Sequence, residues 1–246
     1  MRQGFKQWMP VLAMLVLLSG CTASAIQETE LETANRWDLQ QPYWWRVKFR
    51  IHWPEGEDLD FSIHSLIADL VLRPVLDQHG DSLVLWRFHR RAARDGAGHQ
   101  FSFIFYTASD VAEAVNADIQ QNSVNIALLE AGTLDKVLYH SMPADERKQV
   151  EATSDPVWSP EIQKSWPWYI MGVSQTWLDM IAQLRTESPM PANPAVAEMQ
   201  RYYKALDAKI TDQWGRYGRH AYLHHLNAVF GYVPVYIEKT GTWEYF

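Results

Sequence analysis

From Arg46 to Trp53 polar and apolar side chains take turns: Arg46, Lys48, Arg50 and His52 alternate with Val47, Phe49, Ile51 and Trp53. A period of two marks a strand with one apolar face. Pro54 to Glu57 reads as a turn. Ile63, Leu66, Ile67, Leu70, Val71 and Val75 then recur at helical spacing, with Ser62 as the expected cap and Pro74 near the end. Gln78-His79-Gly80-Asp81 stops that helix. Residues 83–91 form a second strand, in which Val84, Trp86 and Phe88 alternate with Arg87, His89 and Arg91. Asp95-Gly96-Ala97-Gly98 is a hairpin connection to a third strand over 100–106, whose Phe101, Phe103 and Phe105 share a face. Ser109 and Asp110 open a helical stretch to about residue 130, broken near Asn122, and residues 134–139 make a fourth strand.

Strand, helix, strand, strand, helix, strand is the split βαβ, or ferredoxin-like, pattern of the α+β class. It predicts a four-stranded antiparallel sheet over residues 42–141, with the first strand central and helices on its apolar side. The opposite side then gathers Arg46, Lys48, Arg50, Arg87, His89 and Arg91. Such a face is either solvated and covered by acidic groups of the second half, such as Glu161, Asp179 or Glu187, or a seat for phosphate or carboxylate held by arginine forks. Everything about it rests on strand register.

Residues 142–246 change character. Prolines 160, 167, 189, 191 and 194 punctuate runs rich in Trp, Met and Tyr. Helical spacing predicts helices over 169–184, 194–214 and 218–230, then a closing strand over 232–237. No flexible linker separates this half, so it is expected to pack on the first.

The start of the chain is an address. Arg2 and Lys6 precede an apolar run over 8–18, short of the roughly 20 residues a spanning helix needs. It ends Leu18-Ser19-Gly20-Cys21, with the chain's one cysteine. This resembles the lipobox of bacterial lipoproteins. The resemblance implies removal of residues 1–20, diacylglycerol on the Cys21 sulfur and a palmitate-type acyl chain on the new amino end. More than one acyl chain anchors stably, where one alone is marginal. Thr22 rather than Asp after the cysteine points, by the same resemblance, to the outer membrane facing the periplasm. Residues 21–41, with Glu28, Glu30 and Glu32, read as a lipidated tether.

Composition narrows the function. Apolar residues are 47% of the 246, enough for a sizeable core. The net charge of −7 becomes −9 once Arg2 and Lys6 leave with the leader, which argues against nucleic-acid binding. With one cysteine no intramolecular disulfide can form.

His220, His224 and His225 stand together, and His220 and His224 would share a helix face as candidate zinc ligands. The run HAYLHH lacks the glutamate of a zinc-protease helix. Beyond that zinc, no cofactor is expected. Trp158, Trp166, Trp168 and Trp177 are either a platform for sugar rings or packing. Ser174, in MGVSQ, lacks the second glycine of a nucleophile elbow. Phe88-His89-Arg90 with His99 also resembles a short part of the C-terminal domain of lantibiotic-type dehydratases. Gln100 and Phe101 stand where basic residues are expected, and the resemblance carries no catalytic residue across. The expected role is therefore non-catalytic binding or assembly at the envelope, with membrane lipid and an envelope protein as partners. A hydrolase or metal enzyme built on the histidines is the alternative.

Overall fold

The computed structural model describes residues 41–141 and 148–246. The leader, Cys21 and the tether up to residue 40 lie outside the described residues. Pro42–Phe246 forms one compact unit.

Four strands make the main sheet: β1 (Tyr43–Ile51), β2 (Leu85–Arg91), β3 (Gln100–Thr107) and β4 (Leu134–Ser141). Their order is β2-β3-β1-β4, and each neighbouring pair is antiparallel. The fold is thus α+β, with β1 and β3 inside the sheet. In β1 the alternation is realised as expected. Val47 faces Phe103 on one side and Tyr139 on the other, and Phe49 faces Phe101 and Val137. Phe88 joins the same row opposite Phe103. Val47, Phe49, Phe101, Phe103 and Phe105 are wholly shut off from solvent. Val84, expected on this apolar side, is 46% exposed, because β2 begins one residue after it.

The first helical run is continuous but not uniform. α1 (Ser62–Ile67) passes through a π-helical turn (Ala68–Leu72) into α2 (Arg73–His79). Ser62 is not the cap; Asp60 Oδ1 instead accepts hydrogen bonds from the Ser62 N–H and hydroxyl. The π turn precedes Pro74, which enters α2 at its first turn, where a missing N–H is tolerated. A proline in a helix cannot serve the carbonyl four residues back, here Leu70. Asn122 Nδ2 donates to that carbonyl at 3.1 Å. Asn122 also breaks the second helical stretch into α3 (Ser109–Gln121) and α4 (Ser123–Glu130), its Oδ1 accepting from Val124 N and Asn125 N. One side chain thereby closes two interruptions.

The second half adds α5 (Pro160–Glu187) and α6 (Val196–Gly218). Leu178 and Ile181 of α5, with Met199, Tyr203, Leu206 and Ile210 of α6, enter the same buried cluster as the sheet's apolar side. α5 covers the β2 edge, where Ser174 Oγ accepts from Phe88 N at 3.1 Å, so that exposed strand donor is spent. The polar tie lies at Asp69 in the π turn. Its side chain is fully buried and accepts from Arg73 Nε at 2.7 Å, Arg185 Nη1 at 2.8 Å and Tyr203 OH at 2.5 Å. Removing one partner of a buried charge network of this kind costs roughly 3–5 kcal/mol, so Asp69 is a strong link between α5, α6 and the first half.

The C-terminus departs from the sequence reading. The helix expected over 218–230 is a π-helical turn (Arg219–His224) followed by the short α7 (His225–Val229). The closing strand, β5 (Val235–Ile237), does not join the main sheet. It pairs with β6 (Thr242–Glu244) in a separate hairpin, turned by Gly241 at φ +66°.

Candidate functional site

The side of the sheet turned away from the helices has a register that can be read row by row. Arg87, Ile104, Arg46 and His140 lie across one row; His89, Ser102, Lys48 and Leu138 across the next; Arg91, Gln100, Arg50 and Lys136 across a third. All six basic residues expected there are on this face, joined by Lys136 and His140 of β4. No carboxylate occurs in these rows.

One end of the face is closed. Trp44, Leu85, Ile104 and Tyr106 form a small apolar cluster under Val150, Ala152 and Met171. Trp44 Nε1 donates to the Gln149 carbonyl at 3.0 Å, and Tyr106 OH donates to the Lys148 carbonyl at 2.6 Å. Next to this lid Arg87 is buried, its guanidinium 4.8 Å from the centre of the Trp166 ring. Arg46, Lys48, Arg50 and Arg91 are half-buried, whereas His89, Lys136 and His140 are exposed.

The charges are poorly compensated. Arg91 pairs with Asp95, and Arg50 donates to the carbonyls of Gly96 and Ala97 in the β2–β3 turn. Among the described residues, Arg46, Lys48, Arg87 and Lys136 form no ion pair, and Glu161, Asp179 and Glu187 make none with this face. The Nε atoms of both Arg46 and Arg87 are buried without a hydrogen-bond partner. The titration behaviour agrees. Burial pushes Arg87 down to about 10, with Arg46 adding repulsion. Arg46 is lowered by burial. Lys48 is lowered by burial and then by Arg46 and Arg50. His89 and His140 are lowered by burial first and by neighbouring cations second. A cation taken partly out of water without a counter-ion is costly; an anion supplied from outside would remove that cost. Sequence reasoning missed Lys136 and His140, although the alternation of Lys136, Leu138 and His140 with Val137 and Tyr139 carried the signal.

The other candidates sort differently. The His220, His224 and His225 rings lie 5.2–5.4 Å apart between centres, and the His220 and His224 rings stack at 14°. His224 Nδ1 is 3.2 Å from the Phe246 carbonyl. Among the described residues no group of three or more His, Cys, Asp or Glu is arranged to hold a metal. Of the four tryptophans, Trp177 packs edge-on against Phe88 and Phe101, Trp158 and Trp166 pair at 5.4 Å, and Trp168 is 55% exposed. On the helical side His64 and His99 are buried with ring centres 4.8 Å apart. Arg90 Nε donates to His64 Nδ1 at 3.1 Å, which places the His64 proton on Nε2. No helix among the described residues is long and apolar enough to cross a membrane.

Comparison of the chain with family models, with curated proteins and with solved structures gives no match.

The four histidines have a joint consequence for pH. His64, His89, His99 and His140 are all held below their ordinary value of 6.5, burial being the leading cause in each. The unfolded chain then binds more protons than the folded one as pH falls below that value. Stability is complete above 6.5 and is lost as pH drops through the lowered folded-state values. Thermal melts from about pH 8 to pH 5 are expected to show a melting temperature that declines on the acid side; a flat profile would contradict the assignment.

Proposed function

We propose that this chain is a lipid-anchored protein of the bacterial cell envelope, at the outer membrane on the periplasmic side, and that its folded body binds rather than catalyses. Its ligand or partner presents an anionic group, phosphate or carboxylate, to the open face of the sheet. The observation that carries this reading is the pair of buried, unpartnered Nε donors on Arg46 and Arg87, set in rows of cations without a facing carboxylate. Arginine forks match planar oxyanions in two bonds at once, and Lys48 and Lys136 add point charges. Arg87, fixed against Trp166, offers a preorganised donor. His89 and His140 add charge on acidification, so binding should tighten as pH falls through their lowered values.

We further read the sheet as a ferredoxin-like one. The order β2-β3-β1-β4, with β1 and β3 inside and the helices of the first half on the apolar side, supports that reading. The location rests on the lipobox at Leu18–Cys21 and on Thr22.

Two measurements test these claims separately. Pyrophosphate should raise the melting temperature saturably, as any ligand selective for the folded state does. Arg46→Gln or Lys48→Gln should weaken the midpoint by about tenfold each, given roughly 1.5–3 kcal/mol for a hydrogen bond to a charged group. A shift unchanged in Arg46→Gln and Lys48→Gln would remove the anion site. Intact-mass analysis of protein extracted from cell membranes should show a chain beginning at Cys21 and carrying acyl mass; a free thiol or a retained leader would remove the anchor.

A further inference from the structure

A concavity lies on the other side of β2, away from the basic face. It has a volume of about 700 Å³, inside the range of small-molecule sites. One wall is α5, the other is the end of α6 with the π turn beyond it, and Phe88 and Arg90 of β2 lie at the floor. Its apolar lining is open to solvent: Tyr169 is 48% exposed, Val173 43%, Trp214 52%, Tyr222 39% and Leu226 36%.

The polar groups at this site are few and point to one chemistry. Among the described residues, Arg90 is the only charged one lining it. Its side chain is 32% exposed, and its guanidinium lies 4.9 Å from the Trp177 ring. Nε and Nη2 are spent on His64, the Phe61 carbonyl and Asp207 at 3.5 Å; Nη1 takes no part in these contacts. Beside it, Trp177 Nε1 is shut off from water and lacks an acceptor. A greasy trough with a cation and an unsatisfied N–H at one end suits an apolar chain that ends in an oxyanion.

We propose that this groove binds a free long-chain carboxylate of the fatty-acid class, its tail between α5 and α6 and its carboxylate at Arg90. The charge sign selects the head group, and the concave shape distinguishes a small-molecule seat from a flat protein contact. This site is independent of the anion face, which lies on the opposite side of the sheet.

Gly172 gives a way to close the groove without harming the fold. It lines the groove within α5, and a Cβ built there meets nothing within 4 Å. Replacing a helical glycine by leucine also favours the helix. The test uses the chain from Thr22 onward, which keeps the compact unit Pro42–Phe246 whole, with 9,10-dibromostearate below its micellar concentration as a quencher of tryptophan emission. Saturable quenching is expected from Trp177 and Trp214. Gly172→Leu should weaken it by at least about tenfold with no loss in melting temperature. Val173→Glu, which places a carboxylate at the groove wall, should weaken stearate by a similar factor while improving binding of octadecyltrimethylammonium. Wild-type protein should bind that cation at least about tenfold more weakly than stearate. Any of four results overturns the proposal: no saturable quenching, quenching that both variants leave unchanged, equal affinity for the cation, or sedimentation showing a stable dimer whose formation stearate does not affect.

Discussion

The pairing of β1 between β3 and β4 is the constraint on which the rest depends. Side chains on a strand alternate, so one register decides both faces together. Val47 and Phe49 reach the helices only because Arg46, Lys48 and Arg50 point the other way. A slip by one residue would put arginine among the phenylalanines of β3, at several kcal/mol per buried ion. The core therefore enforces the basic face; the cations need no attraction of their own to stand together. This also explains how a chain of net negative charge can carry a patch of one sign. The energy of apolar burial holds groups that repel each other, and their lowered affinity for protons is the visible cost.

The second half completes the first at two places of different chemistry. Along β2, α5 takes up an edge that would otherwise present free donors, and Ser174 satisfies one of them. Under the π turn, Asp69 gathers two arginines and a tyrosine from three elements. A π turn widens the helix where a proline follows, and here it also brings a carboxylate into the interior. The cover over β2 is incomplete beyond Ser174, where α5 and α6 part over Phe88 and Arg90 and the apolar groove opens. The basic face and the groove thus flank the same strand, one from each side of the sheet.

How much of this the sequence disclosed follows from how local each cause is. The strands of the first half were legible because period-two alternation is written residue by residue, and the break at Asn122 because a polar residue interrupted an apolar period. The basic face was legible in β1 and β2, where arginine alternates with large apolar groups; in β4 the alternation of Lys136 and His140 with Val137 and Tyr139 carries the same signal, weakened by the apolar Leu138 between them. Other features depend on partners remote in sequence. The π turn owes its satisfied carbonyl to Asn122, some fifty positions away. Arg90, which the alternation puts on the apolar side of β2, is tolerated there only through His64, Asp207 and the Phe61 and Trp177 rings. The closing strand expected over 232–237 is present as β5, but three-residue strands carry too little periodicity to show where they pair. Helical spacing at His220 and His224 suggested convergence on a metal, whereas the π turn stacks the rings face to face.

Arg46 and Arg87 stand side by side across Ile104, placed to receive one anion together. Their Nε–H groups are shielded and unpartnered, so their side-chain resonances can be followed by nitrogen-15 NMR during a pyrophosphate titration. Arg94, stacked on Trp53 and bonded to the Trp53 and Glu57 carbonyls, serves as an internal control away from the face. Saturable shifts of Arg46 and Arg87 with one common midpoint, while Arg94 stays still, are the predicted result. Arginine signals that do not move, or that all drift alike as with a change of ionic strength, would contradict it.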